Sequence, residues 1–186
     1  MAGAPSLFHF LIMPIQRIPR YSLLLNELIK ATPDDHPDLK SLQVALGQVN
    51  QVASRVNADI TAQQNRQKVY EKTLLLGLDE ARFIQPSRYF VKQGPMTKVC
   101  RSRDILYEFF LFNDVLIYAS RVPVGKFKVH QEIPIDLNFG LQDTKEKQRT
   151  NAFSIINGVK SFVVICSTPE EKQQWMEELT KLIHQA

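Results

Sequence analysis

Apolar positions recur along this chain in two rhythms, and the change between them falls near Arg88. Before it, Leu39, Leu42, Leu46, Val49, Ala53, Val56 and Ile60 follow one another at spacings of three and four. That is the pattern of one buried helix face. Asp38 stands just ahead as a candidate N-cap, and Pro37 before it stops whatever precedes. Continuation through Gln63, Arg66 and Tyr70 predicts a helix longer than 25 residues. A second helical stretch is predicted from Phe8 to Lys30, with Leu11, Ile15, Ile18, Leu25 and Leu28 as candidate buried positions. Pro14 and Pro19 should each kink or break it. Two helices alone cannot bury this much apolar surface. They need partners elsewhere, self-association through the helices being one solution, or they are the remnant of a larger bundle.

Beyond Arg88 the runs are short, β-branched and aromatic. Tyr89–Val99, Ile105–Phe112, Val115–Ser120, Lys126–Ile135, Ala152–Ile156 and Phe162–Cys166 read as strands separated by turn signals. Asn113-Asp114 predicts a tight hairpin turn, and Asn157-Gly158 another. The chain then closes on a helix with Thr168 as N-cap, Pro169 at its first position and Glu171 completing a capping box. Trp175, Met176, Leu179, Leu182 and Ile183 make its apolar stripe. Strands followed by one amphipathic helix predict a curved antiparallel sheet with the helix closing one end. The fold class expected is therefore α+β.

Composition narrows the function. The chain has 186 residues, 44% apolar, with 23 basic against 19 acidic side chains. This suffices for one domain or two small ones. No apolar run approaches the roughly 20 residues that cross a bilayer, and Met1 to Pro5 lacks the basic start of a secretory signal. Two distant cysteines, Cys100 and Cys166, make neither a disulfide framework nor a zinc site. A reducing, cytoplasmic protein is expected. There is no phosphate-binding Gly-Lys loop, no zinc-protease motif and no nucleophile elbow. A conventional enzyme is not expected, nor is a cofactor or a metal.

The stretch from Leu11 to Leu28 contains Pro14-x-Gln16-Arg17-x-x-Arg20-Tyr21-x-Leu23-Leu24-Leu25. It resembles the signature helix of the Dbl-homology domain of Rho-family guanine nucleotide exchange factors. The second half, through Phe109-Phe-Leu-Phe-Asn-Asp-Val-Leu-Ile-Tyr118 and the final helix with Trp175, is similar to the pleckstrin-homology domain that accompanies it. The Phe109 strand and the Ser161–Thr168 segment are most similar to the faciogenital-dysplasia type. The resemblance implies C-terminal helices of a Dbl-homology bundle over residues 1–82. It implies a pleckstrin-homology β-barrel or sandwich, closed by a helix, over 83–186. A full Dbl-homology domain is about twice as long as the stretch before Arg88, given that domains commonly run about 100–200 residues. Its first helix, which carries a glutamate for switch 1 of the GTPase, has no counterpart here. The resemblance thus also raises the prospect of a chain impaired in exchange.

By the same resemblance Arg20 and Asn57 occupy positions that contact switch 2. Ser22 lies where partner choice is influenced, and Gln16 and Arg17 belong to the signature. The bland alternatives are a solvated charge for Arg20, a polar helix edge for Asn57, and internal packing for Gln16 and Arg17. The partner implied is a Rho-family small GTPase.

A second constellation is electrostatic. Residues 88–130 carry a formal +5, and residues 131–186 a formal −2. Lys92, Lys98, Arg101, Arg103, Lys126 and Lys128 supply most of the excess. Lys92, Arg101 and Arg103 are similar to the loose Lys-x(n)-Arg-x-Arg pattern of phosphoinositide-binding pleckstrin-homology domains. Converging donors ligate phosphate oxygens, Arg bidentately. The alternative is an ordinary solvated loop. An anionic membrane or phosphoinositide is therefore expected as partner, with location peripheral at membrane or cytoskeleton. Asp34-Asp35-His36-Pro37-Asp38 is expected to be a capped loop rather than a metal site, and Cys100 an incidental thiol. Three readings follow: an exchange factor, a membrane- or protein-binding adaptor, and a nucleic-acid binder. The last lacks a recognition helix.

Overall fold

The computed structural model describes residues 7–123, 125–144, 151–158 and 161–185, with side chains from Met13 onward. In chain order the elements are α1 (Leu7–Ala31), α2 (Leu39–Leu76), α3 (Glu80–Phe83), β1 (Phe90–Lys98), β2 (Ile105–Phe112) and β3 (Val115–Arg121). They continue as β4 (Phe127–Pro134), β5 (Gly140–Asp143), β6 (Ala152–Ile156), β7 (Phe162–Ile165) and α4 (Pro169–Ile183). The backbone divides into two compact units between Gln64 and Asn65, inside α2.

The first unit is a helical hairpin. Pro14 and Pro19 lie inside α1 without ending it, although each withholds one main-chain donor. Ile18, Ser22, Leu25 and Ile29 on α1 are half-buried, as are all seven positions of the predicted α2 seam. The Ser22 hydroxyl donates across the pair to Asn50 Oδ1 at 2.7 Å. Two expected core positions are corrected: Ile15 is 42% and Leu28 51% exposed. Leu28 is turned about 120° around the helix from Ser22, and nothing in this unit covers either side chain. Leu11 lies outside the described side chains. Among the described residues of this unit none is fully buried. Asp38 stands directly before α2 as expected and its carbonyl accepts Leu42 N–H at 2.9 Å, while its own backbone N–H donates to His36 Nδ1 at 3.2 Å.

The second unit is a seven-stranded antiparallel sheet in the order β4-β3-β2-β1-β7-β6-β5. Alternation sends Met96, Phe109, Leu111, Leu116, Phe153, Ile155 and Val164 to an inner core, where Trp175, Leu179 and Leu182 of α4 complete it. The capping box of α4 forms, with one change of partner. Thr168 Oγ1 accepts Glu171 N–H at 3.2 Å, while the Glu171 carboxylate reaches back to Ser167 N–H, one residue earlier than the usual box. The short strand β5, four residues of Gly-Leu-Gln-Asp at the sheet edge, lacks the β-branched run that announces the others.

The outer face is also covered. Val69, Leu76 and Phe83 from the end of α2 and from α3 pack on Phe110, Phe112, Val115 and Ile117. Residues 109–112 are therefore buried on both faces, which is why Phe-Phe-Leu-Phe shows no alternation. Helix α2 ends in a Schellman turn: Gly77 takes φ +63°, Leu78 N–H donates to Thr73 and Gly77 N–H to Leu74.

One arginine joins this outer layer to the sheet. Arg88 donates Nε and Nη2 to the Asp114 carboxylate at 2.8 and 2.6 Å, and Nη1 to the Phe83 carbonyl at 2.6 Å. Its guanidinium also lies 4.1 Å from the Phe83 ring centre. Beside it, Asn113 accepts Tyr89 N–H at 2.7 Å and donates to the Ser87 carbonyl. The Asn113-Asp114 turn thus grips the chain that leads out of α3. Replacing Asp114 by Ala leaves a guanidinium only 10% exposed without its carboxylate. The expected loss is about 3 kcal/mol of stability, read from the midpoint of urea unfolding.

Candidate functional site

Two surfaces collect the candidate residues. On α1, Gln16, Arg17, Arg20 and Tyr21 are all exposed and, with Met13 and Leu24, line an open depression of about 750 Å³. Their spacings of three and four put them along one side of the helix. The Arg17 guanidinium stands 5.6 Å from the Tyr21 ring centre. Guanidinium groups set among Met, Tyr and Leu side chains suit a partner that offers acidic groups or carbonyls around an apolar patch.

Asn57 is exposed on α2, and its carbonyl accepts the Thr61 hydroxyl. In the antiparallel pair, Arg20 and Asn57 lie about 3 and 10 Å along their helices from the Ser22–Asn50 bond, toward the same end. The structure therefore draws Gln16 and Arg20 together and leaves Asn57 on the adjoining helix. Ser22 is half-buried in the seam and engaged with Asn50. Met13 lies off the seam and outside the signature, although its spacing from Gln16 and Arg17 puts it on the same side of the helix.

The second surface is one end of the sheet. Antiparallel pairing of β1 with β2, β3 with β4, β1 with β7 and β6 with β7 brings Lys98 and Ile105, Arg121 and Phe127, and Ile156 and Phe162 to the same end. Arg101, Arg103, Lys126 and Lys128 are exposed there. Lys98 is at this end but held: its ammonium donates to Tyr118 Oη at 3.2 Å and lies 4.8 and 4.9 Å from the Tyr118 and Phe162 ring centres. The Tyr118 hydroxyl in turn donates a hydrogen bond to Gln131 Oε1 at 3.0 Å.

Lys92 is elsewhere. It donates to Gln174 Oε1 at 3.0 Å and sits 5.2 Å from the Trp175 ring centre. It lies six positions from Lys98 along β1, roughly 20 Å. Its side chain ties β1 to α4.

An aromatic group under the same end was not foreseen. The Tyr107 ring lies 5.1 Å from Tyr118 and 5.0 Å from His130. His130 is the extra residue where the β3–β4 register shifts, and its Nε2 is 2.9 Å from Ser120 Oγ. A register shift leaves no mark in the apolar pattern, so this placement was not legible. Of the two thiols, Cys100 is half-buried and Cys166 buried. Burial, with the Glu171 charge adding to it, pushes the Cys166 thiol up to about 11.

Residues 2–57 match the RhoGEF domain family, and residues 84–182 match the SOS1/NGEF-like PH domain family. The chain belongs to the SOS1/NGEF-like PH domain family. Human FYVE, RhoGEF and PH domain-containing protein 6 is 31% identical over 182 residues, which are 97% of this chain and 12% of that protein. Chicken FERM, ARHGEF and pleckstrin domain-containing protein 1 is 29% identical over 94% of this chain and 17% of its own length. The chain thus spans less than a fifth of the length of these two curated relatives. Among solved structures, an activated truncation of Vav1 superposes with a TM-score of 0.78 at 22% identity, over 97% of this chain and 48% of that one. The PDZ-RhoGEF DH/PH domains, solved in complex with activated RhoA, give 0.67 at 22%, over 98% and 57%. These likenesses carry the fold: helices followed by a seven-stranded sheet and a closing helix, as in other DH/PH structures.

Within the PH domain the lysines and arginines of the sheet have separable roles. Lys92→Ala should lower stability by about 1 kcal/mol through the lost hydrogen bond and ring contact. Arg101→Ala combined with Arg103→Ala should change it by less than about 0.5 kcal/mol. Chemical denaturation of the three proteins side by side checks both.

Proposed function

We propose that this chain acts on a Rho-family small GTPase as a guanine nucleotide exchange factor, using the exposed side of α1. The observation that carries the reading is that the signature residues Gln16, Arg17, Arg20 and Tyr21 stand together on a free surface. Arg20 supplies up to five donors to carbonyl and carboxylate oxygens of switch 2, and Asn57 adds an amide from the adjoining helix. The action is non-covalent. Binding favours a GTPase conformation in which the switch regions no longer hold Mg²⁺ and phosphate well, so nucleotide leaves. The complex of the PDZ-RhoGEF DH/PH domains with RhoA supports the partner class.

On this reading the sheet unit docks the chain to anionic membrane. Arg101, Arg103, Lys126 and Lys128 meet phosphate groups, each worth about 1 kcal/mol near a charged leaflet. Lys98 is already committed to Tyr118, and Lys92 to α4. The chain would then work in the cytoplasm, peripherally at the membrane or cytoskeleton.

One observation favours a second reading, an adaptor without exchange activity that self-associates through its helices. Leu23 and Leu24 are 67% and 65% exposed, with Leu28 beside them. Fluorescent GDP release from Rho-, Rac- and Cdc42-type GTPases separates the two. Acceleration by the chain, reduced at least tenfold by Arg20→Ala, is expected for the exchange factor. No acceleration with any of them, together with a dimer mass by light scattering, would favour the adaptor.

A further inference from the structure

The connection between β1 and β2 carries Val99-Cys100-Arg101-Ser102-Arg103-Asp104. Ser102 is exposed at its centre, between two exposed arginines, four residues after Lys98. Among the described residues no hydrogen bond engages its hydroxyl. Two other serines near basic or imidazole side chains are placed differently. Ser54, next to Arg55, lies in the middle of α2, and Ser120 is half-buried against His130.

We propose that Ser102 is a phosphorylation site for an arginine-directed serine/threonine kinase, and that the modification switches off the basic end of the sheet. The inference rests on the membrane reading above and adds its regulation. An exposed loop outside helix and strand can enter a kinase cleft in extended form. The flanking guanidinium groups are complementary to an acidic cleft. In the step itself the kinase's ATP is the donor. A bond forms between Ser102 Oγ and the γ-phosphorus, the bond from that phosphorus to the β–γ bridging oxygen breaks, and ADP leaves. The hydroxyl proton passes to the kinase's base.

The product carries about −1.5 to −2 charges and three strong acceptor oxygens, placed between Arg101 and Arg103. Those oxygens take the donors that would otherwise meet lipid phosphate. The added charge also cancels most of the attraction that the two arginines supply to an anionic leaflet. Lys126 and Lys128 remain, so binding weakens and does not vanish.

The test uses the full chain, unmodified and after incubation with ATP and an arginine-directed kinase. Mass spectrometry locates the phosphate, and sedimentation with phosphatidylserine–phosphatidylcholine vesicles, with and without a phosphoinositide, reads the binding. Expected is modification at Ser102, absent in Ser102→Ala, with vesicle affinity lowered roughly 10- to 30-fold. Ser102→Ala should bind like the parent, whether or not it has met the kinase. Failure of the kinase to modify Ser102, or modification with unchanged binding, overturns the switch and leaves the membrane reading standing. No binding by the unmodified chain, on either vesicle type, removes the membrane reading and the switch with it.

Discussion

The sheet unit is organised around a single guanidinium. Arg88 meets Asp114 through two nitrogens and the end of α3 through the third, while its face rests on Phe83. Asp114 belongs to the β2–β3 turn, so the same contact sets where the strand pair stands relative to α3 and the last turns of α2. Those turns are what cover Phe110, Phe112 and Ile117. Without them three large side chains on the outer face would meet water, at about 25 cal/mol for each Å² exposed. A half-buried ion pair of this kind contributes less through its own attraction than through the cost of leaving one partner alone. Its value here lies in position: it fixes which helical turns lie on which strands.

The same economy governs the lysines. Counted along the sequence, residues 88–130 present a broad positive face. In the fold Lys92 spends its charge on Gln174 and Trp175, and Lys98 on Tyr118 and Phe162. A long alkyl stem over an aromatic ring buries apolar surface and keeps the ammonium hydrogen-bonded. The charges left for a partner are Arg101, Arg103 and Lys126 on the connections and Lys128 at the start of β4, for which no ring or acceptor competes among the described residues. A charge count is therefore an upper bound on an electrostatic surface, and local aromatics decide how much of it is usable.

Much of this was legible from periodicity. The α2 seam, six of the seven strands and the capped α4 each follow from local pattern, because one face of each is buried and the other is not. Legibility failed where burial was not one-sided. The Phe109–Phe112 run reads as a strand but does not say that a helix covers its second face. β5 is too short and too polar to register, and α3 is a single turn whose capping Asp79 looks like any loop aspartate. At the sites, Gln16 and Arg20 were readable because the motif is helical and their spacing sets their side. Lys92 was not, since a lysine in a strand shows nothing of the glutamine and tryptophan that a distant helix brings to it.

The two units also differ in how much they bury, and this bears on function. The sheet unit has two apolar clusters. In the helical unit the described side chains are at most half-buried, and helices of this kind draw most of their stability from packing rather than propensity. The exposed side of α1 is therefore presented by the less consolidated part of the chain. On the proposed reading, a GTPase seated there would add the apolar burial that the helical pair lacks. Its binding free energy would be shared with ordering those helices, and by linkage the helices would be more stable in the complex than alone. Specificity would then reside in Gln16, Arg17 and Arg20, whose donors must be matched once the surface is desolvated, more than in the leucines around them.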